Sequence, residues 1–424
     1  MTNQDDSSSH QPQSQICESI HVARQPVFNT DMCVWGYELL FRHSAQSTQS
    51  KFLDGEAATS QVIVDGFSMA TEWISAKQKV LINYPASLLV QGIPRALPSD
   101  MAVVEILETV YPEKEVLKMC RQLKSEGYSL ALDDFVGDPG YEPFLELADL
   151  IKVDVLHLSR DNLNHLAQDL KRHSAALLAE KVEDLETFDH CRELGFDLFQ
   201  GFFFSRPQTV SDKKLSSNQL TKLNLLQELG KPELEVSRIT QIIQEDVSLS
   251  YRLLRYINSP GMGLAFTVKS IAQAVNLLGS KRITVWLRVL VMADMNHSPQ
   301  AQELLFISLQ RAWMLDIIAR EQKSDYLEPD TMFLLGLFSS LDTILSLPMK
   351  QIVGKLSLEP ELADTLLGKN TELGLWLGLA MASERGNWEE VDSRLEKAGI
   401  SRKDLAWAQN QAATWSKEVL VGEG

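Results

Sequence analysis

The chain is short of several things, and each shortage removes a class of function. Its four cysteines, Cys17, Cys33, Cys120 and Cys191, lie far apart, with no CxxC pair and no matching histidine spacing. That argues for free thiols over a zinc site. No apolar run reaches the roughly 18 residues of a membrane-crossing helix. Residues Met1 to Ser19 are polar and Ser/Gln-rich, so they read as a tail and not as a secretion signal, and a cytoplasmic location is expected. Positive charge is scarce: 40 Lys and Arg against 57 Asp and Glu leave a net charge of −17. A general nucleic-acid grip needs the opposite balance. Small anionic ligands stay open, because bound cations can supply local positive charge. Histidine nearly disappears after His190, where His297 stands alone.

At 424 residues the chain should form more than one domain. In its first half, six apolar runs each end in a carboxylate, amide or lysine: Val80 to Asn83, Val103 to Glu105, Leu130 to Asp134, Leu150 to Asp154, Leu177 to Glu180 and Leu198 to Gly201. Successive polar ends lie 22, 28, 21, 26 and 20 residues apart. Each interval has room for a strand, a loop, a helix and a loop back, so the pattern predicts βα units with parallel strands. Helices are expected over Pro112 to Gly127, Asp161 to Ser174 and Glu183 to Leu194. Beyond residue 208 the strand-like runs stop and 3.6-residue patterns take over, such as Leu249, Leu253, Ile257 and Ile271, Val275, Leu278. The polar run Ser205 to Lys214 reads as the hinge. The fold class is thus α/β plus all-α, divided into a tail (1–19), a barrel (20–207) and a helical domain (208–424).

Polar residues at the C-terminal ends of parallel strands mark the active face of a (β/α) barrel. Glu38 follows the short apolar run Val34 to Tyr37, and Arg42 comes four residues later. With Glu105, Asp133, Asp134, Asp154 and the amide of Asn83, this rim carries enough negative charge to repel itself unless cations fill it. Two divalent ions roughly 3.5–4 Å apart would neutralise it and polarise a phosphodiester. Lys152 could then orient an attacking water, Glu180 take its proton and Arg42 hold a phosphate. One strand-end carboxylate alone more often pairs with a loop; the whole series is harder to read that way.

These residues resemble the EAL domain, a cyclic-di-GMP phosphodiesterase barrel. The matching motifs are Tyr37 to Arg42, Leu81 to Asn83, Glu105 to Glu108, Leu132 to Phe135, Ile151 to Asp154, Ala179 to Glu183 and Gln200 to Pro207. The resemblance implies Mg²⁺ or Mn²⁺ on Glu38, Asn83, Glu105, Asp133 and Asp134. It implies Lys152 and Glu180 as catalytic groups and Gln200 and Arg42 as ligand contacts. Asp154 would add charge, and Glu108 and Glu183 would hold the catalytic loop. Three places depart from the family: Val136 starts the loop after the aspartate pair where a glycine is usual, Lys181 replaces the glycine after the base, and the segment from His43 to Thr48 lacks the family's Trp and His-Pro sequence.

Asp246 to Pro260 and Ser270 to Gly279 resemble an HDOD domain, a helical relative of the HD phosphohydrolases. Such hydrolases need several His and Asp ligands, and this half has one histidine, with Ser339-Ser340 where an adjacent His-Asp pair would stand. An output module that binds a protein partner is expected, folding apart from the barrel. Arg252, Arg255, Lys281, Arg282 and Arg288 form either a basic patch or a solvated helix face. The implied ligand is cyclic-di-GMP, with room for a homodimer and no membrane contact. Three readings stay open: a phosphodiesterase, a receptor that binds without turnover, and a scaffold that binds no nucleotide.

Overall fold

The computed structural model describes residues 21–42, 67, 74, 77–205, 217–231, 235–245, 247–258, 266–322, 326–356 and 358–421. The tail, most of the expected hinge and the Ser259 to Gly263 turn lie outside the described residues. Eight strands close a barrel in chain order. They are β1 (His21–Asn29), β2 (Val34–Arg42), β3 (Lys79–Tyr84), β4 (Ala102–Ile106), β5 (Ser129–Leu132), β6 (Leu150–Asp154), β7 (Ala176–Glu180) and β8 (Leu198–Gln200). The six apolar runs are β3 to β8, which pair in parallel. The structure corrects the start of the barrel. Val34 to Tyr37 belongs to a nine-residue strand, so Glu38 sits inside β2 and not past its end. Strand β1 runs antiparallel to both β2 and β8 and closes the ring. At Gly36 a Cβ would come within 2.5 Å of the Lys79 carbonyl oxygen, so glycine permits the close approach of β2 to β3.

The barrel interior explains where the polar residues go. Val27, Leu81, Val103, Ala131, Leu150, Leu178 and Leu198 form one buried apolar layer. Side chains on one face of a strand recur every second residue. Two positions toward the C-terminal face therefore stand Asn83, Glu105, Asp133, Lys152, Glu180 and Gln200, all aimed at the same mouth. Because β1 runs the other way, its member of this ring is Gln25, two residues before Val27, in register with Glu38.

Barrel helices α1 (Ala86–Val90), α2 (Lys114–Ser125), α3 (Glu142–Leu145), α4 (Arg160–Leu170) and α5 (Leu185–Glu193) link the strands. Helix α2 buries Val116, Cys120 and Leu123 on one face. Ser159 and Asp184 cap α4 and α5 by accepting from the backbone N–H of Asn162 and Thr187. The second half is helical among the described residues: α6 (Ser217–Leu229), α7 (Val236–Glu245), α8 (Val247–Ile257), α9 (Ile271–Ala293), α10 (Pro299–Gln322), α11 (Pro329–Phe338), α12 (Leu341–Leu345), α13 (Met349–Val353), α14 (Pro360–Leu366), α15 (Leu373–Glu384), α16 (Trp388–Ala398) and α17 (Arg402–Val421). Helix α10 is buried on nearly every side, which matches its lack of a polar face. It packs along α11 and α17, where Trp313 stacks on Trp415 at 4.3 Å.

The two halves share a core. One apolar cluster takes Phe28, Phe203 and Phe204 from the barrel and Leu223, Val289, Leu304 and Leu309 from the helices. On the outer face of β1 and β2, Arg24 lies between the rings of Tyr37 and Phe306, at 4.8 and 4.3 Å. The Tyr37 hydroxyl donates to buried Glu303 at 3.0 Å, and burial raises the Glu303 carboxyl above its usual range. Among the described residues no helix is long and apolar enough to cross a membrane.

Candidate active site

Lys152 is the centre of the mouth, only 1% exposed and surrounded by carboxylates. Its ammonium lies 2.8 Å from Asp133 Oδ1, 2.8 Å from Glu180 Oε1 and 3.5 Å from Glu38 Oε2, and it pairs with Glu105 Oε1. Burial opposes its charge, but the carboxylates outweigh burial and hold its pKa well above the ordinary lysine value. The carboxylates remain in excess. Burial, then the Glu38 charge, pushes Glu105 well above the usual carboxylate range. Burial likewise pushes Glu180 up to about 8, with Lys152 opposing and Asp133 and Glu38 adding to the rise. One ammonium does not balance this cluster.

The amides orient Glu38. Asn83 Nδ2 donates to Glu38 Oε1 at 3.0 Å, and Gln200 Nε2 donates to Glu38 Oε2 at 2.6 Å. What stays unmatched points to a cation. Asn83 Oδ1, Glu105 Oε2, Asp134 Oδ1, Glu180 Oε2 and Gln200 Oε1 are buried acceptors without a hydrogen-bond partner, and all stand at this mouth. Buried polar atoms are rarely left so. Carboxylate oxygens of Asp133, Asp134 and Glu180 lie within 4.8 Å of one another and could hold an ion. An all-oxygen set of this kind fits a hard divalent cation. A cavity of about 380 Å³ opens above it, bounded by Leu40, Leu156, Lys181, Glu183 and Phe202.

The outer residues behave differently. Asp154 receives Lys181 Nζ at 2.5 Å, His157 Nδ1 at 2.8 Å and the Leu156 N–H at 2.9 Å. Those bonds overcome its burial and hold its pKa below the usual carboxylate value. Its charge is thus largely matched locally. The loop after Asp134 is tied to Glu108 through the backbone: the Tyr141 hydroxyl donates to the Glu108 carbonyl at 2.5 Å. Glu183 is exposed at the rim. The Arg42 side chain lies outside the described residues. Gln25 has no counterpart in the sequence reading. It accepts from Gln200 Nε2 at 2.9 Å, and only the alternation of β1 could have exposed it.

Lys181 holds the left-handed conformation, with φ 57°, that favours glycine. Its ammonium lies 3.5 Å from Asp134 Oδ1, beside the candidate ligands. Lys181→Gly should therefore tighten Mn²⁺ binding on the order of tenfold, since about 1.4 kcal/mol of repulsion is modest for a partly exposed charge at this range. Isothermal titration checks it; equal affinities would mean the ammonium does not oppose the ion.

Both halves match known families. The EAL domain matches residues 86–207 and the HDOD domain residues 218–352. Cyclic di-GMP phosphodiesterase CdgJ of Vibrio cholerae is 32% identical over 415 residues, covering 96% of this chain and 95% of that protein. The chain belongs to the EAL–HDOD family. YuxH of Bacillus subtilis is 34% identical over 405 residues, covering 92% and 98% of the two chains. A manganese and cyclic-di-GMP complex of Klebsiella pneumoniae BlrP1 is 24% identical with a TM-score of 0.37, over 45% of this chain and 58% of that one. Strands β1 to β3, with Gln25, Glu38 and Asn83, precede the matched EAL stretch but are needed to close the barrel.

In the HDOD half, Ser339 and Ser340 both accept from Arg311 Nη1, at 2.9 and 3.1 Å, while Glu384 takes the rest of that guanidinium in a bidentate pair. Among the described side chains the basic residues do not gather into one free patch. Arg252 pairs with Asp294 at 3.0 Å, and Arg288, pushed down to about 10 by burial, donates to the Leu229 carbonyl. The Arg255 side chain lies outside the described residues. His297 is an exposed loop residue.

Proposed function

We propose that the EAL barrel binds cyclic-di-GMP and hydrolyses one of its phosphodiester bonds with Mg²⁺ or Mn²⁺. The observation that carries this reading is the set of buried oxygens without a hydrogen-bond partner at the barrel mouth, on a chain similar along its length to a protein named as a cyclic-di-GMP phosphodiesterase. Glu38, Asn83, Glu105, Asp133 and Asp134 would hold the metal, which would neutralise the acids and polarise the phosphodiester. Lys152 would orient the attacking water by donating to it once a bound metal takes over one of its carboxylate partners. Glu180 accepts the water's proton as the oxygen adds to phosphorus, and the bond to the leaving ribose oxygen breaks. Gln200 Oε1, buried and unpaired, is a contact for ligand or bound water. The HDOD half serves as a module for a protein partner, and the domain boundary falls between Ser205 and Ser217.

The contact of Lys181 with Asp134 favours a second reading, a receptor with slow turnover. Titration with cyclic-di-GMP in Ca²⁺ and product analysis in Mg²⁺ and Mn²⁺ separate the two. Linear dinucleotide formed only with Mg²⁺ or Mn²⁺ is the expected result. Binding without product supports the receptor, and absence of binding overturns both readings.

A further inference from the structure

The interface between the halves and the candidate metal site are one residue apart on the same two strands. Arg24 and Tyr37 point outward and hold α10, while Gln25 and Glu38 point into the mouth. The link goes further at the end of α15. The last carbonyls of a helix have no partner within it. Here the helix turns off at Gly386, with φ +65°, and the Asn387 N–H closes back on the Ala382 carbonyl at 3.0 Å. The Arg385 carbonyl is left facing the barrel and accepts from Gln25 Nε2 at 2.9 Å. Fixing that nitrogen outward leaves Gln25 Oε1 as the inward acceptor. It takes one hydrogen of Gln200 Nε2, and the second goes to Glu38 Oε2. Were Gln25 reversed, its amide nitrogen would face Gln200, whose oxygen would turn to the nitrogen and away from its own role, and Glu38 would lose a donor.

The same turn borders the mouth. The Arg385 guanidinium lies 4.7 Å over the Phe202 ring, and a Cβ on Gly386 would meet Leu40 Cδ1 at 2.7 Å. Phe202 and Leu40 both line the cavity. Arg385 and Gly386 lie beyond the matched HDOD stretch and Gln25 before the matched EAL stretch.

We propose that Gln25 is a positioning residue through which the Arg385–Gly386 turn of the helical half sets the orientation of Gln200 and Glu38, and so the cation affinity of the barrel. This rests on the barrel reading proposed above. Helical motion that lifts the turn would free both amides and weaken the ion's hold without touching a ligand.

The test is a double-mutant cycle on the full chain, with Mn²⁺ alone as probe, followed by isothermal titration and by loss of the free Mn²⁺ resonance. Gln25→Leu keeps the size but removes both hydrogen bonds, and should weaken Mn²⁺ about tenfold, the worth of one charge-assisted hydrogen bond. Gly386→Val, with every barrel side chain native, should weaken it severalfold by pushing the turn off Leu40. The two effects should not add, because both break one chain of bonds. If Gly386→Val fails to fold, judged by its melting curve, Gly386→Ala takes its place. Additive effects, or native affinity in Gln25→Leu, would overturn the proposal while leaving the barrel reading intact. A wild-type protein that binds no Mn²⁺ overturns both.

Discussion

Glu180→Gln should keep cyclic-di-GMP bound while cutting turnover by about 10²–10⁴-fold, the usual loss when a general base is removed. The substitution preserves shape, and an amide oxygen can still accept from Lys152, which now donates to Glu180 Oε1 at 2.8 Å. What goes is the capacity to accept a proton from water. The environment fits a base that is set by its neighbours: burial raises the carboxyl to about 8, and Lys152 opposes the rise by favouring the anion. A bound cation would act in the same direction as Lys152. Chromatography of the linear product gives the rate, and titration in Ca²⁺ gives the affinity. Glu193→Gln, at an exposed position at the end of α5 and outside the cavity lining, serves as the comparison and should change the rate only slightly. Unchanged turnover in Glu180→Gln would remove it from the base role, and loss of ligand with turnover would make it a binding residue instead.

How much of this site was legible in the sequence depended on strand direction. On β3 to β8 the chain runs toward the mouth, so each polar residue follows its apolar run and Asn83, Glu105, Asp133, Lys152, Glu180 and Gln200 read out in order. On β1 the chain runs away from it. Gln25 precedes Val27, inside a stretch whose Arg24, Gln25 and Pro26 break any apolar run, and the rule that found the others passes over it. Glu38 is legible, but its strand reads short, because Glu38 interrupts an apolar run that resumes at Leu39. The charge balance around Lys152 was not legible either. Sequence spacing places residues on a rim, but which acid pairs with which cation follows from closure of the ring. Asp154 shows the difference: it stands at a strand end like the rest, yet Lys181 takes up its charge. The expectation of separate halves meets a similar limit. The change from strand to helix patterning was plain, whereas the apolar cluster across the boundary is assembled from residues far apart in the chain. A fragment cut at residue 208 would expose part of it.

Lys152→Met should be the most damaging single change to the barrel, and its effect should depend on metal. In the native chain one buried ammonium offsets Glu38, Glu105, Asp133 and Glu180. Methionine has similar length and no charge, so those carboxylates would be left buried and facing one another. Removing one partner of a buried ion pair typically costs about 3–5 kcal/mol. For a unit of this size that corresponds to a melting point lower by roughly 10 °C in a chelator. Protonation of the acids limits the loss, since Glu105 already sits well above its ordinary range and would rise further. Mn²⁺ should then recover more stability in the variant than in the native protein, because a site relieved of its internal cation binds an external one more tightly; at 100 times the dissociation constant, binding contributes about 2.7 kcal/mol. Turnover should stay absent even with Mn²⁺, as the group that orients the water is gone. Calorimetry with and without metal, beside a rate assay, separates the outcomes. Equal melting of both proteins in chelator would show that Lys152 does not hold the acids together, and restored turnover with Mn²⁺ would show that the water is oriented by something else.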